Sequence, residues 1–90
     1  MEQKMEATEV EKLRLVVNRS GDITSDVEIL NRADARRLFE QILKDFCLTH
    51  GMKYSSDKDD KGKLISKCVD DGVFVSKKYG FSVFMSRIAA

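Results

Sequence analysis

Two cysteines, a single histidine and no long apolar run leave this 90-residue chain short of the residues that most often announce a function. Cys47 and Cys68 are too few for a disulfide framework, and each falls where a small buried side chain is wanted, so both read as reduced core residues. His50 has no serine or carboxylate beside it at a defensible spacing, which removes the usual general-base arrangement and leaves it as favourable charge at a helix end. The opening MEQKMEATEVEK is polar and mixes its charges. It lacks the apolar core of a signal peptide, so neither secretion nor membrane insertion is encoded there, and a cytoplasmic protein is expected. Charge of one sign is scarce as well: the net charge is +1. Dedicated duplex-binding domains are far more basic, so tight non-specific duplex binding by a monomer is not expected.

Metal chemistry is thin too. Asp57-Lys58-Asp59-Asp60-Lys61-Gly62 has the outline of a calcium loop, but Lys61 holds its fifth position and Cys68 stands where a bidentate glutamate belongs, which favours a solvated acidic loop. Cys47, His50 and Cys68 together supply at most three zinc ligands where four are usual. No metal, cofactor or small-molecule substrate is expected, and a chain this short leaves little room for a ligand-sized cavity, so the expectation is a protein that is not an enzyme.

What the chain does have is patterning. Hydrophobic residues at 42% and charged ones at 34% are near the globular average, which suits one ordered domain over residues 10–90 behind a flexible arm at 1–9. EKLRLVVNRSGDITSDVEIL alternates apolar and polar residues on both sides of Arg19-Ser20-Gly21, the signature of two strands joined by a three-residue loop. That loop sets Leu13 against Val27, Leu15 against Ser25 and Val17 against Ile23, and it places Arg14 opposite Asp26 as a surface ion pair. Asn31 then caps a helix that runs to Gly51, with Ala35, Leu38, Phe39, Ile42, Leu43 and Phe46 in one apolar stripe. KYSS reads as a short strand. GKLISKCVDDG reads as another, ending at Asp70-Asp71-Gly72, because Gly62 weakens a helix started there; a short helix over 63–70 is the alternative, in which Leu64, Ile65, Cys68 and Val69 would share a face. The expected fold is α+β: an antiparallel sheet built as a hairpin, a long helix and then a three- or four-stranded meander, with the helix packed on one face.

Charge rises along the chain, from four basic and seven acidic residues in 1–30 to eight basic and five acidic in 53–90. The basic end contains VFVSKKYGFSVFM, residues 73–85. A loop at Lys78-Tyr79-Gly80 would pair Lys77 with Phe81, Val75 with Val83 and Val73 with Met85, setting Phe74 across from Phe84 on a serine-bearing face away from the helix. Two rings side by side among hydroxyls ask for a cover. Three covers are open: the amino-terminal arm, a second helix or a dimer mate, which would make the pair ordinary core or subunit interface; a different protein anchored on Phe74 and Phe84 with Lys77 and Lys78 at the rim; or bases stacked on the two rings with the lysines on phosphates.

Residues 77–84, KKYGFSVF, resemble the RNP1 octapeptide of RNA recognition motifs and cold-shock domains. Lys77, Tyr79, Gly80, Phe81 and Phe84 match its pattern, Lys78 stands in place of a glycine and Ser82 in place of an aliphatic residue. The resemblance covers eight residues and implies an octapeptide lying along a central strand with its rings turned to bases. The expected function is a non-catalytic binding module, for nucleic acid first, through Phe74, Lys77, Lys78, Tyr79, Phe84 and Arg87. A protein-binding adaptor or inhibitor using the same surface, in a form that includes a homodimer, is the alternative.

Overall fold

The computed structural model describes residues 12–88; the arm expected at 1–9 and the start of the domain at residue 10 lie outside them. Strands β1 (Leu13–Arg19) and β2 (Asp22–Ile29) are followed by helices α1 (Arg32–His50) and α2 (Ile65–Asp71), then by strands β3 (Val73–Ser76) and β4 (Phe81–Arg87). The four strands form one sheet in the order β2-β1-β4-β3, antiparallel throughout. The class is α+β with the long helix packed on one face, as the patterning indicates. The second half is a helix and a hairpin, however, and no meander forms.

Local rules account for α1. The Asn31 side chain accepts hydrogen bonds from the amides of Ala33 (2.8 Å) and Asp34 (3.2 Å), and Gly51 ends the helix at φ 68° with its N–H on the Cys47 carbonyl. Ala35, Phe39, Leu43, Phe46 and Cys47 are buried. They rest on Leu15, Val17, Phe74, Phe81 and Val83 of the sheet. Each large side chain buried in this way contributes about 1.5–3 kcal/mol of transfer free energy. The apolar stripe is narrower than the spacing suggests: Leu38 is exposed and Ile42 only half-buried.

In the first hairpin the turn is tighter than expected. Ser20-Gly21 alone separates the strands, and the register is Leu13 with Ile29, Leu15 with Val27 and Val17 with Ser25, shifting at Asn18, which meets Ile23. Relative to the three-residue loop the strands slide by two positions over most of their length. An even slide keeps every side chain on its face, so Leu13, Leu15 and Val17 still point to the core. The extra residue is Thr24, whose hydroxyl donates to the Val17 carbonyl at 3.3 Å. Arg14 stands opposite Glu28 but reaches diagonally to both carboxylate oxygens of Asp26, at 2.8 and 2.5 Å. That hydrogen-bonded guanidinium holds the Asp26 carboxyl below its ordinary pKa.

The strands read at KYSS and at 63–70 do not form. KYSS is a turn, and Ile65–Asp71 is helix α2 with Ile65, Cys68 and Val69 buried along one side. Gly62 is no obstacle to that helix, because it precedes the first turn. It bends the chain at φ 81° with its N–H on the Asp59 carbonyl (3.0 Å), so the cost of glycine inside a helix does not arise. Both cysteines are free and buried. Burial, joined by a hydrogen bond to Asp59, pushes the Cys68 thiol up to about 12, and burial raises Cys47 as well, so both are packing groups and not thiolates.

The acidic loop is exposed at Lys58, Asp60, Lys61 and Gly62 and half-buried at Asp57 and Asp59, and its carboxylates have structural work beyond solvation. Asp57 accepts from the Lys53 amide (2.6 Å), Asp59 from the amides of Lys61 (3.0 Å) and Lys63 (2.8 Å), and Asp60 from the amide of Lys77 (2.7 Å). Three carboxylates thus satisfy backbone donors that a loop of this length would otherwise leave open. Among the described residues no group of three metal-ligating side chains is present. Asp59→Ala removes the acceptor for two amides and is expected to destabilise the domain by about 1–3 kcal/mol in urea denaturation, with Asp59→Asn recovering part of the loss.

Candidate nucleic-acid interface

The second hairpin decides what faces solvent. Its turn holds four residues, Lys77 to Gly80, so that Ser76 pairs with Phe81, Val75 with Ser82, Phe74 with Val83 and Val73 with Phe84. Compared with a three-residue loop this is a slip of one position, and one position exchanges the two faces of a strand. Phe74 is therefore not beside Phe84. It is fully buried, its ring 5.3 Å from that of Phe46 and 6.0 Å from that of Phe81. Phe81 faces the core in either register; the slip turns β3 over, so that Phe74 and Ser76 are buried in place of Val73 and Val75, and Phe74 gains the ring contacts with Phe46 and Phe81. Phe74 is a core residue and has no face to offer a base.

Phe84 remains on the open face, 40% exposed, with Val16 and Val73 as its cross-strand neighbours. Among the described residues nothing covers that side of the sheet, because both helices lie on the other. Arg87 is at the far end of β4, opposite Leu13, about 20 Å along the strand from the turn. It is not brought together with Lys77 and Lys78.

At the turn end, the β1–β4 pairing places two turns in contact. The Ser20 amide donates to the Gly80 carbonyl at 2.6 Å, and a Cβ built on Gly80, which lies at φ 59°, would stand 3.4 Å from the Ser20 backbone. Arg19 thereby joins Lys77 and Lys78. The end of α1 closes over the same spot: His50 stacks on Tyr79 at 3.9 Å and Phe46 on Phe81 at 4.5 Å. The Arg19 guanidinium lies 4.7 Å from the Phe81 ring, and the Lys78 ammonium 5.3 Å from Tyr79. Tyr79 is thus half-buried as a support for the turn, its ring committed to His50 and Phe46.

Cations without an ion pair to a described residue are not confined to this end, since Lys53, Lys58, Lys61 and Lys67 make none either, but here three of them share one end of the sheet. Lys12, Arg14, Arg36, Arg37, Lys44 and Lys63 all make ion pairs. Arg19, Lys77 and Lys78 make none with any described residue, and all three side chains are exposed. The nearest acids are otherwise placed: the Asp60 carboxylate is on the Lys77 amide, and Asp22 pairs with Arg19 through the backbone ladder alone. A groove of about 270 Å³ is lined by Asn18, Gly21, Val75, Lys77, Gly80 and Ser82; of the three cations Lys77 alone lines it, while Arg19 lies over Phe81 and Lys78 over Tyr79.

The octapeptide accordingly straddles a turn and a strand. Lys77–Gly80 form the turn, and only Phe81–Phe84 lie on β4, which is a central strand. Phe81 faces the core and Phe84 the open side, so the rings do not share the face that the RNP1 resemblance implies. Sequence reasoning missed Arg19 and His50 as members of this end. Arg19 was legible as a turn residue, but its meeting with Lys77 depends on β1 pairing with β4, which no local pattern announces. Comparison with known proteins finds no family model, no curated protein and no solved structure that matches the chain.

Proposed function

We propose that the chain is a small non-catalytic binding module for single-stranded nucleic acid, held along the groove between the open sheet face and the basic turn end. The observation that carries this reading is that the two turns in contact bring Arg19 to the end of the sheet that carries Lys77 and Lys78, all three exposed and without carboxylate partners among the described residues, with Lys77 lining the groove. Phosphates supply the missing counter-charge, and Phe84 offers the ring on which one base stacks. Unpaired bases are required, since a ring cannot reach the face of a base inside a duplex. A cytoplasmic setting, with both thiols reduced, accompanies the reading; no helix among the described residues is long and apolar enough to cross a membrane.

Fluorescence anisotropy with labelled DNA and RNA oligonucleotides tests it. Three phosphate contacts give a slope of log K against log salt of about −2 for a single strand, and the paired substitution Lys77→Glu with Lys78→Glu is expected to remove about 1.4 of that slope. Phe84→Ala should weaken binding by about 1–3 kcal/mol and leave the slope alone. Absence of binding by the unaltered protein at low salt ends the proposal.

One observation favours a second reading. The neighbours of Phe84 on the open face, Val16, Val73 and Val75, are aliphatic and partly exposed, which suits a protein partner or a second copy docked through the same surface. Binding that survives high salt and fails with Phe84→Ala would mark that case.

A further inference from the structure

The two edges of the sheet are finished differently. On β3, four residues long, the Val75 carbonyl accepts from the Asp60 amide (3.3 Å) and the following Lys77 amide donates to the Asp60 carboxylate, so the acidic loop closes that edge. On β2, eight residues long, the backbone bonds to β1 and to no other described residue. A strand edge left with free N–H and C=O groups is a template for another strand.

Exposed apolar residues gather beside this open edge. Of the six large hydrophobic side chains exposed among the described residues, Ile23 and Val27 lie on β2, Leu30 follows it, and Leu38 lies on α1. The helix turns about 100° per residue. Arg36 points to α2, where it pairs with Asp70 at 2.8 Å, so Leu38 and Ile42 occupy the opposite flank. Ile42 and Ile29 are both half-buried against the core, which places that flank along β2. On the helix side the edge therefore offers Val27 and Leu38. On the other side it offers Asp26 and Glu28, which share the outer face of the sheet with Arg14.

Those acids choose between occupants. A second copy paired edge to edge would set the Asp26–Glu28 row against its own duplicate, and like charges directly across a strand pair repel. A basic strand meets the opposite field. Asp26 already holds Arg14, and Glu28 lies 3.9 Å from Lys12, yet a carboxylate has about four acceptor positions and takes more than one cation. We propose that the β2 edge is a docking site for an extended peptide segment that alternates lysine or arginine with aliphatic residues, added to the sheet beside β2. Its aliphatic side chains rest on Val27 and Leu38, and its basic ones reach Asp26 and Glu28. The acids that admit such a segment keep copies of the chain apart.

The test is titration of the isotope-labelled full chain with a synthetic peptide of alternating lysine and valine, followed by amide shifts in NMR. Shifts are expected at residues 22–30 and at 38 and 42, with a composition-matched peptide carrying its lysines and valines in two separate blocks binding at least several-fold more weakly. Glu28→Lys should weaken the alternating peptide about five- to tenfold, and Leu38→Ser, also at an exposed position, should weaken it without altering the fold. The Lys77→Glu, Lys78→Glu protein, impaired for nucleic acid, should bind the peptide normally. Equal binding of both peptides, shifts confined to 77–84, or protection from exchange, in the free chain, of those β2 amides that point away from β1 would each overturn the proposal.

Discussion

Phe74→Ala is expected to destabilise the domain by about 3–5 kcal/mol, while Phe84→Ala changes stability by less than about 1 kcal/mol. The two phenylalanines are ten residues apart on paired strands and chemically identical, so the contrast isolates which face each one occupies. Phe74 has no exposed surface and sits edge-on to both Phe46 and Phe81; truncation leaves a cavity walled by rings that are themselves wedged between α1 and the sheet. A domain of this size has a stability of about 5–10 kcal/mol, so about a third or more of it rests on that one side chain. The melting temperature should fall by more than about 12 °C, with the urea m-value of the residual transition unchanged. If Phe84→Ala proved the more damaging of the two, the hairpin register would be that of a three-residue loop, and the open face would carry both rings.

The same pair of residues shows where sequence reading succeeds and where it stops. Elements fixed by neighbours close in the chain were legible: the Asn31 cap, the Gly51 stop and the burial of Ala35, Phe39, Leu43 and Phe46 are realised, while Leu38 and Ile42 fall at the open margin of the stripe. The first hairpin keeps its faces even though its turn is one residue shorter than the pattern suggests, because a bulge at Thr24 compensates. No such compensation occurs in the second. There the apolar content of Val73, Phe74 and Val75 permits either face, so register depends on whether Lys77 belongs to the strand or the turn, and the turn is favoured by contacts distant in sequence: the ring contacts of Phe74 with Phe46 and the Asp60 carboxylate that accepts from the Lys77 amide seventeen residues on. Helix α2 was obscured for a related reason. Its buried face is only Ile65, Cys68 and Val69, too short for periodicity to speak, and its support is α1 together with the Asp59 hydrogen bond to Cys68. Of the candidate site, Lys77, Lys78 and Phe84 were found by composition; Arg19 was not, since it arrives through the strand order.

Gly72→Ala is expected to rank next in severity, at about 2–5 kcal/mol, from two causes that add. Gly72 is the only residue between α2 and β3 and lies at φ 73°, a conformation that costs a residue with a Cβ about 1–2 kcal/mol. A Cβ there would also stand 2.9 Å from the Met85 carbonyl oxygen and 3.5 Å from the Met85 Cβ. Relief is blocked on both sides: the Gly72 amide is held by the Cys68 carbonyl (2.9 Å), and its own carbonyl accepts from the Met85 amide (2.8 Å). Overpacking of this kind adds about 1–3 kcal/mol. Gly51 supplies the control, since it has a similar φ of 68° and no atom within 4 Å of the point where an alanine Cβ would sit. Gly51→Ala should therefore show the conformational cost alone, and the difference between the two urea midpoints measures how tightly the end of α2 is pressed against β4. Equal losses at Gly51 and Gly72 would mean that β4 gives way at Met85, and the hairpin would then be free to adopt the register that exposes Phe74.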